Sequence, residues 1–270
     1  MIGIHTSERR LHDALAELPL SARRADGAQG AIVAVPGEAG WVDAALAAVS
    51  AGAVALVISD PVVVPAGELR RLEKSRILVI VERTLLRPDV ARDAVDARAA
   101  ASDALPARML AADARAAASD ALPARILAAD VSASRAGLAA ATRDAVGWLR
   151  IVAGESLELV AAGAGLALLK TSAGIPATLT AVVTGRADAG RIRVQGLGEV
   201  TTDIEVEGRA VRLATSSLAG RLFAPTRFES SGRLALRRAL EAVAADATPS
   251  DLNDLIADTD LAERVAAAPS

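Results

Sequence analysis

The chain has no cysteine and no tyrosine, and its 270 residues include only two tryptophans, two phenylalanines and two histidines. Without cysteine there are no disulfides, no thiolate nucleophiles and no thiolate metal ligands. Scarce aromatics leave the core to Ala, Val, Leu and Ile, and remove the stacking platforms that single-stranded nucleic acid needs. An excess of one charge is also missing. Thirty Lys and Arg stand against 33 Asp and Glu, a net charge of -3, so there is no basic footprint and no nucleic-acid partner is expected. Lysine itself is nearly absent, with only Lys74 and Lys170. The longest apolar stretch, residues 44–58, contains Ser50 and Gly52 and is too short to span a bilayer. The opening MIGIHTSERR lacks the basic and apolar regions of a signal peptide. No membrane partner and a cytoplasmic location are therefore expected. His5 and His12 lie seven residues apart with no third ligand in reach, so no metal site is expected.

What is present is organised around residues 31–61. An apolar run ends at Pro36-Gly37, a helical pattern covers residues 38–51, and a second apolar run ends at Asp60-Pro61. Short Val/Ile runs bounded by Gly and Pro read as buried strands, and a helix between them makes a right-handed βαβ unit. Open parallel sheets bind ligands at the carboxyl ends of their strands. That places a small-molecule site at Pro36, Gly37 and Glu38 and at Ser59, Asp60 and Pro61. Around this unit, residues 1–4 and 20–26 read as short strands. Ser7 fits the start of a helix carrying Leu11, Leu15 and Leu18. Glu68, Leu69 and Leu72 fall in a further helix, followed by a strong strand at 77–81. Alternating strands and helices predict a parallel α/β sheet.

A tandem repeat follows. Residues 96–112 and 113–129 differ only at Met109 against Ile126. A 17-residue period falls about 100° short of whole helical turns, so the copies cannot present one face of a continuous helix. Pro106 and Pro123 interrupt any helix as well. The reading is a duplication, with one copy an inserted connector.

Residues 135–152 are again helical, closed by Gly154. Strand-like runs then occupy 157–161, 166–171, 177–184, 191–195, 199–206 and 210–214, punctuated by Gly174, Gly185, Gly190 and Gly208. Residues 200–206 alternate as a strand with one solvated face does. Helices are predicted over 229–246 and 250–267. The pattern predicts a parallel α/β domain first and then an α+β domain with a hairpin-rich, mainly antiparallel sheet, with a boundary near residues 90–130.

These motifs, in this order, resemble the glucose–fructose oxidoreductase / inositol dehydrogenase (Gfo/Idh/MocA) family. AIVAVP, DAALAAVSAGA and VALVISDP are similar to that family's strand, A-L-x-A-G-K turn and Glu-Lys-Pro segment. PVVVPAGELRRLEKSRILVIVERTLLRP resembles its next helix, strand and Arg-containing loop. DAVGWLRIVAGESLELV, LALLKTSAGIPATLTAVV and RIRVQGLGEVTTDIEVEGR resemble the helix and strands of its second domain, and residues 228–265 its final helix pair. The resemblance implies an α/β fold class: a truncated Rossmann-like parallel-sheet domain at 1–95, a duplicated connector at 96–123, and an α+β domain at 124–270 with a large, mainly antiparallel open sheet. It also implies descent from NAD(P)-dependent sugar or polyol oxidoreductases, and oligomerisation through the open face of the second sheet.

Three departures stand against the activity the resemblance implies. His5-Thr6-Ser7-Glu8 occupies the place of the glycine-rich phosphate loop, and the first strand lies so close to Ile32 that one element of the usual mononucleotide half is missing. Asp60 stands where the family carries Lys. Ala141 stands where it carries the catalytic His, three residues before Asp144. The expectation is a non-catalytic homologue without cofactor, a ligand-binding or partner subunit that pairs with itself or with a related active enzyme. The alternative is an active NAD(P)-dependent sugar or polyol oxidoreductase that holds its cofactor by Pro36, Gly37, Glu38, Ser59, Asp60 and Pro61.

Among candidate groups, Asp60 reads as a ligand-binding or acid/base carboxylate, or as a turn residue before Pro61. Asp144 can bind a substrate hydroxyl or be an exposed helix Asp. Arg83 and Arg87, past a strand end, can hold an anionic substrate or be solvated. Glu38 and Asp43 suit the start of a helix better than a dyad. Ser216, Ser217, Ser230 and Ser231 have no neighbouring His for a triad. Lys170 is an isolated Schiff-base candidate. Trp41 and Trp148 read as core aromatics.

Overall fold

A computed structural model describes residues 1–18, 20–103, 124–185, 190–218 and 220–268, with the side chains of 101–103 left aside. In chain order the first elements are β1 (Ile2–His5), α1 (Arg9–Ala16), β2 (Ala22–Arg24), β3 (Ile32–Pro36), α2 (Trp41–Ser50), β4 (Ala55–Ser59), α3 (Ala66–Glu73) and β5 (Leu78–Glu82). Then come α4 (Pro88–Asp103), β6 (Ile126–Ala133) and α5 (Leu138–Ala153). The strands β7 (Leu157–Gly163), β8 (Leu166–Thr171), β9 (Pro176–Val183), β10 (Arg191–Leu197), β11 (Thr201–Glu207), β12 (Ala210–Ser217) and β13 (Gly220–Phe223) follow. The helices α6 (Ser231–Ala245) and α7 (Asp251–Ala266) come last.

Two compact units result. The first comprises Met1–Thr84 with Arg227–Asp260, the second Leu85–Thr226 with Leu261–Ser270. This differs from the division expected at residues 95 and 123. Most of the last two helices returns to the first unit because their apolar stripes are buried on the parallel sheet. A reading of contiguous segments cannot register that return.

The first unit is Rossmann-like. Its parallel sheet has the order β2-β1-β3-β4-β5. Alternate residues serve opposite faces. Ile4, Ala34, Val57 and Ile80 meet Leu11 and Leu15 of α1 and Leu236 and Leu240 of α6. Val33, Val35, Ile58 and Val81 meet Trp41 of α2, Leu69 and Leu72 of α3, and Leu252 and Leu255 of α7. Burial on both faces explains why β3, β4 and β5 read as unbroken apolar runs. The edge at β5 is closed by Asp251, whose carboxylate accepts the Val81 N–H at 2.9 Å while bound through both oxygens to Arg238. Residues 25–31 join β2 to β3 without a helix, the shortening that the sequence implied. The strand order reverses at β1, so the switch point lies between the ends of β1 and β3.

The second unit is built on a sheet of order β13-β12-β11-β10-β6-β9-β8-β7, antiparallel except for β6 with β9. One face is covered by α5, which lies against β6, β9 and β10. Ala141, Ala145, Trp148 and Leu149 pack there with Leu127, Val131, Leu179, Ile192, Val194 and Ile204. Gly196 permits the approach of β10: a Cβ there would lie 2.6 Å from Val152 Cγ1. The other face is solvated, as the alternating burial along β8 and β11 requires. Gly154 closes α5 in the left-handed conformation, φ 73°, as expected.

β6 lies in the interior of this sheet, yet half of it belongs to the repeat and its sequence, ILAADVSA, is Ala-rich with a central Asp. It was not predicted. Residues 96–103 of the first copy continue α4, whereas 126–129 of the second copy open β6. The stretch 104–123, with Pro106 and Pro123, lies outside the described residues.

Candidate functional site

The carboxyl ends of β1, β3, β4 and β5 carry most of the residues singled out in the sequence. After β1, Thr6 is buried and its hydroxyl accepts the Glu8 N–H at 3.1 Å. Glu8 is the residue before α1, and its carboxylate takes a hydrogen bond from Arg10 Nε at 2.9 Å. Arg10 Nη1 reaches across to Glu82 Oε1, at the end of β5, at 2.6 Å. Partial burial pulls the Arg10 guanidinium down, but Glu82 and then Glu8 hold it above its ordinary value. The N-terminus of α1 thus faces an acid–base–acid chain. A helix N-terminus offers partial positive charge and free N–H groups to a phosphate. Here side chains and a carboxylate stand in that place.

After β3 and β4 the two loops meet through backbone. Gly37 N–H donates to Ser59 O at 2.8 Å and Val62 N–H to Gly37 O at 2.7 Å. A Cβ on Gly37 would lie 2.3 Å from Pro61 Cα, so glycine is required for the two loops to touch. Glu38 points into solvent. Asp60 is exposed, with φ 48°, a left-handed conformation that Asp tolerates. Its carboxylate accepts the Thr84 N–H at 3.2 Å and its own N–H donates to Glu82 O. The structure therefore brings Pro36, Gly37, Ser59, Asp60 and Pro61 together, but Gly37 and Asp60 are spent on holding the loops. Ser59 and Glu82, by contrast, are buried side chains. Among the described residues, the Ser59 hydroxyl oxygen, Glu82 Oε2 and Glu8 Oε1 find no hydrogen-bond partner. Glu82 and Arg10 were missed as site residues; the available signal was an acid ending a fully apolar strand, LVIVE.

Arg83 is not solvated. Its Nη1 lies 2.6 Å from Asp258 Oδ2, with both side chains at most 5% exposed. Arg87 is held through both Nε and Nη2 by Asp89. In the second unit Asp144 is 2% exposed, not an exposed helix Asp, and accepts from Arg143 Nε at 2.9 Å. Helix burial on the sheet, illegible from an isolated Asp, accounts for the difference. Ala141, in the position of the family's His, is fully buried. Trp41 and Trp148 are core residues whose indole N–H groups donate to Val62 O and Leu85 O. Lys170 pairs with Glu158 on the solvated face, and Ser230 caps α6 through the Arg233 N–H. Asp43 pairs with Arg71.

The second unit also contains a cavity of about 580 Å³, lined by Val95 and Arg98 of α4, Ile151 and Glu155 at the end of α5, Ile175 and Thr202. Burial holds the Arg98 guanidinium below its ordinary value. Among the described residues no group of three His, Asp or Glu side chains is arranged to hold a metal ion, and no helix is long and apolar enough to cross a membrane.

No family model matches the sequence, and no curated protein does. Solved structures do. UDP-N-acetylglucosamine 3-dehydrogenase GnnA from Acidithiobacillus ferrooxidans is 13% identical over 98% of this chain and 95% of that one, with a TM-score of 0.60. KijD10, a 3-ketoreductase from Actinomadura kijaniata solved with TDP-benzene and NADP, is 16% identical over 99% and 97%, with a TM-score of 0.63. A single-residue variant of KijD10 reaches a TM-score of 0.67 at 16% identity over 100% and 98%. At such identities the likeness is one of fold: a Rossmann-like parallel-sheet unit and a unit with a large, mostly antiparallel sheet, as in these two oxidoreductases.

Proposed function

We propose that the chain descends from Gfo/Idh/MocA-type sugar oxidoreductases and acts as a non-catalytic, ligand-binding or partner subunit. The observation that carries the reading is the α1 N-terminus. Glu8, Arg10 and Glu82 form a bonded chain where a dinucleotide's pyrophosphate would need backbone N–H groups and space. The residues present do not fit that group. Buried Ala141 in the His position agrees with this, since alanine transfers no proton, and the Asp60 carboxylate in the Lys position is anionic where the family carries a cation and accepts the Thr84 N–H. Calorimetric titration with NAD(H) and NADP(H) tests the reading. No heat of binding at millimolar cofactor is expected, and micromolar affinity would overturn it.

The alternative is an active NAD(P)-dependent oxidoreductase with a divergent cofactor loop. What favours it is the intact parallel sheet with its reversal of strand order at β1. Against it stands Gly37, whose Cα faces Pro61 and Ser59 with no room between the loops.

The partner in this reading is a second copy of the chain, bound through the solvated face of the second sheet. Exposed Leu166, Leu168 and Val182 lie on the adjacent strands β8 and β9. Beyond β6 in the same sheet, Arg193 of β10 and Asp203 of β11 add both charge signs. A surface with an apolar area and both signs can be complementary to itself across a two-fold axis. Light scattering should give a multiple of 27.4 kDa, and a strictly monomeric mass would remove this interface.

A further inference from the structure

The cavity of about 580 Å³ in the second unit has the volume of a small-molecule site. Every residue that lines it lies between Ala94 and Thr202, within that one unit. It sits at the C-terminal end of α5, about two to three helical turns beyond Asp144. Most of its wall is aliphatic: Val95 and Ala99 of α4, Ile151 and Val152 of α5, and Ile175 between β8 and β9. Such a wall takes hydrocarbon in preference to water. Three polar side chains interrupt it. The Thr202 hydroxyl is closed to solvent. The Glu155 carboxylate is engaged by the Ser172 hydroxyl and the Ala173 N–H. Arg98 is only 9% exposed, and a guanidinium N–H donates to Val152 O in the last turn of α5.

A guanidinium keeps its proton at every ordinary pH, so this wall always carries a positive charge. Burial lowers the Arg98 pKa, as it does for a cation that has given up hydration. A carbonyl offers that cation a dipole; an anion offers a full charge, and the attraction is stronger in an apolar wall than in water. We infer that the cavity binds a medium-chain aliphatic carboxylate, its head against Arg98 and its chain along Val95, Ile151 and Ile175. A sugar would set its hydroxyls against aliphatic carbon, at the cost of their hydration. An alkylammonium would bring a like charge to Arg98. An alcohol would fill the same wall but carry no charge to it. The inference gives a chemical class to the ligand of a ligand-binding subunit. It concerns the second unit alone, so the outcome of the cofactor titration leaves it untouched.

The test is calorimetric titration of the intact chain with sodium octanoate, kept below its micelle threshold. Acetate, with the same charge and no chain, and 1-octanol, with the chain and no charge, are the controls. Saturable octanoate binding is expected, with acetate at least about 100-fold weaker and octanol about 10-fold weaker. Arg98→Met keeps the length of the side chain and removes its charge. It should weaken octanoate about 10-fold or more and leave octanol unchanged. Val95→Trp fills the cavity from a half-exposed position on α4 and should weaken both about 10-fold or more. Absence of saturable octanoate binding overturns the inference. So does equal affinity for octanoate and octanol, or an octanoate affinity unchanged by Arg98→Met. Should Arg98→Met fail to fold, unchanged octanoate affinity in Val95→Trp overturns it instead. A crystal grown with octanoate that shows the molecule only outside this cavity overturns it too.

Discussion

The two sheets of this protein handle charge in opposite ways. The parallel sheet is buried on both faces, so polar groups gather at its edge and at its strand ends, where Glu82, Arg83, Asp251 and Asp258 are all committed to named partners. The antiparallel sheet is buried on one face, and its ion pairs, Arg193 with Asp203 and Lys170 with Glu158, lie on the solvated one. The first arrangement makes single charges costly to remove. The second makes them nearly neutral.

The sharpest way to break this comparison is Arg83→Ala. It withdraws the guanidinium from Asp258, a carboxylate with 0% exposure, and should cost about 3–5 kcal/mol. Trp41 is the tryptophan of the first unit and Trp148 that of the second, so urea unfolding followed by fluorescence in a Trp148→Phe background reads the effect where it arises. Arg83→Met with Asp258→Leu should recover most of the loss. A loss no larger than that of Arg193→Ala, which removes a surface pair, would erase the distinction between the sheets.

Next in size is Gly37→Ala. The added methyl meets Pro61 Cα and Ser59 O, both backbone, so the loops must part, at a cost of about 1–3 kcal/mol. The same substitution at Gly154, which is left-handed but has nothing within 4 Å, carries only the conformational penalty, about 1 kcal/mol. Thermal denaturation of the two variants separates close approach from backbone conformation.

The smallest effect concerns Glu155, at the turn after α5. The Ser172 hydroxyl and the Ala173 N–H hold its carboxyl below the usual carboxylate value. A depressed folded value stabilises the protein above the unfolded value of 4.5 and ceases to do so as the pH falls through the folded one. Glu155→Gln should therefore lower Tm slightly at neutral pH and leave it unchanged in acid. A difference that persists at pH 3 would assign the effect to packing.

The fold was legible where hydrophobic period and punctuation agreed. Ile32–Pro36 and Ala55–Ser59, bounded by Gly and Pro, were read within a residue or two, as was the alternation of Thr201–Glu207. Ile126–Ala133 escaped because Ala and Asp carry no strand signal of their own and the repeat disguised them. The site was half legible. Ser59, Asp60 and Gly37 were named, but the roles of Gly37 and Asp60 turned out to be holding loops together. Glu82 and Arg10, 72 residues apart in sequence, could not be joined by any local rule.

Composition, apolar period and turn residues by themselves determined that this chain builds a parallel sheet followed by a larger, mostly antiparallel one, since those signals are local and survive without knowledge of contacts. Only the tertiary structure decided which buried charges meet, that the last two helices return to the first sheet, and that an acid closes the N-terminus of α1. Those outcomes depend on residues far apart in sequence being desolvated together, and desolvation is a property of the folded neighbourhood.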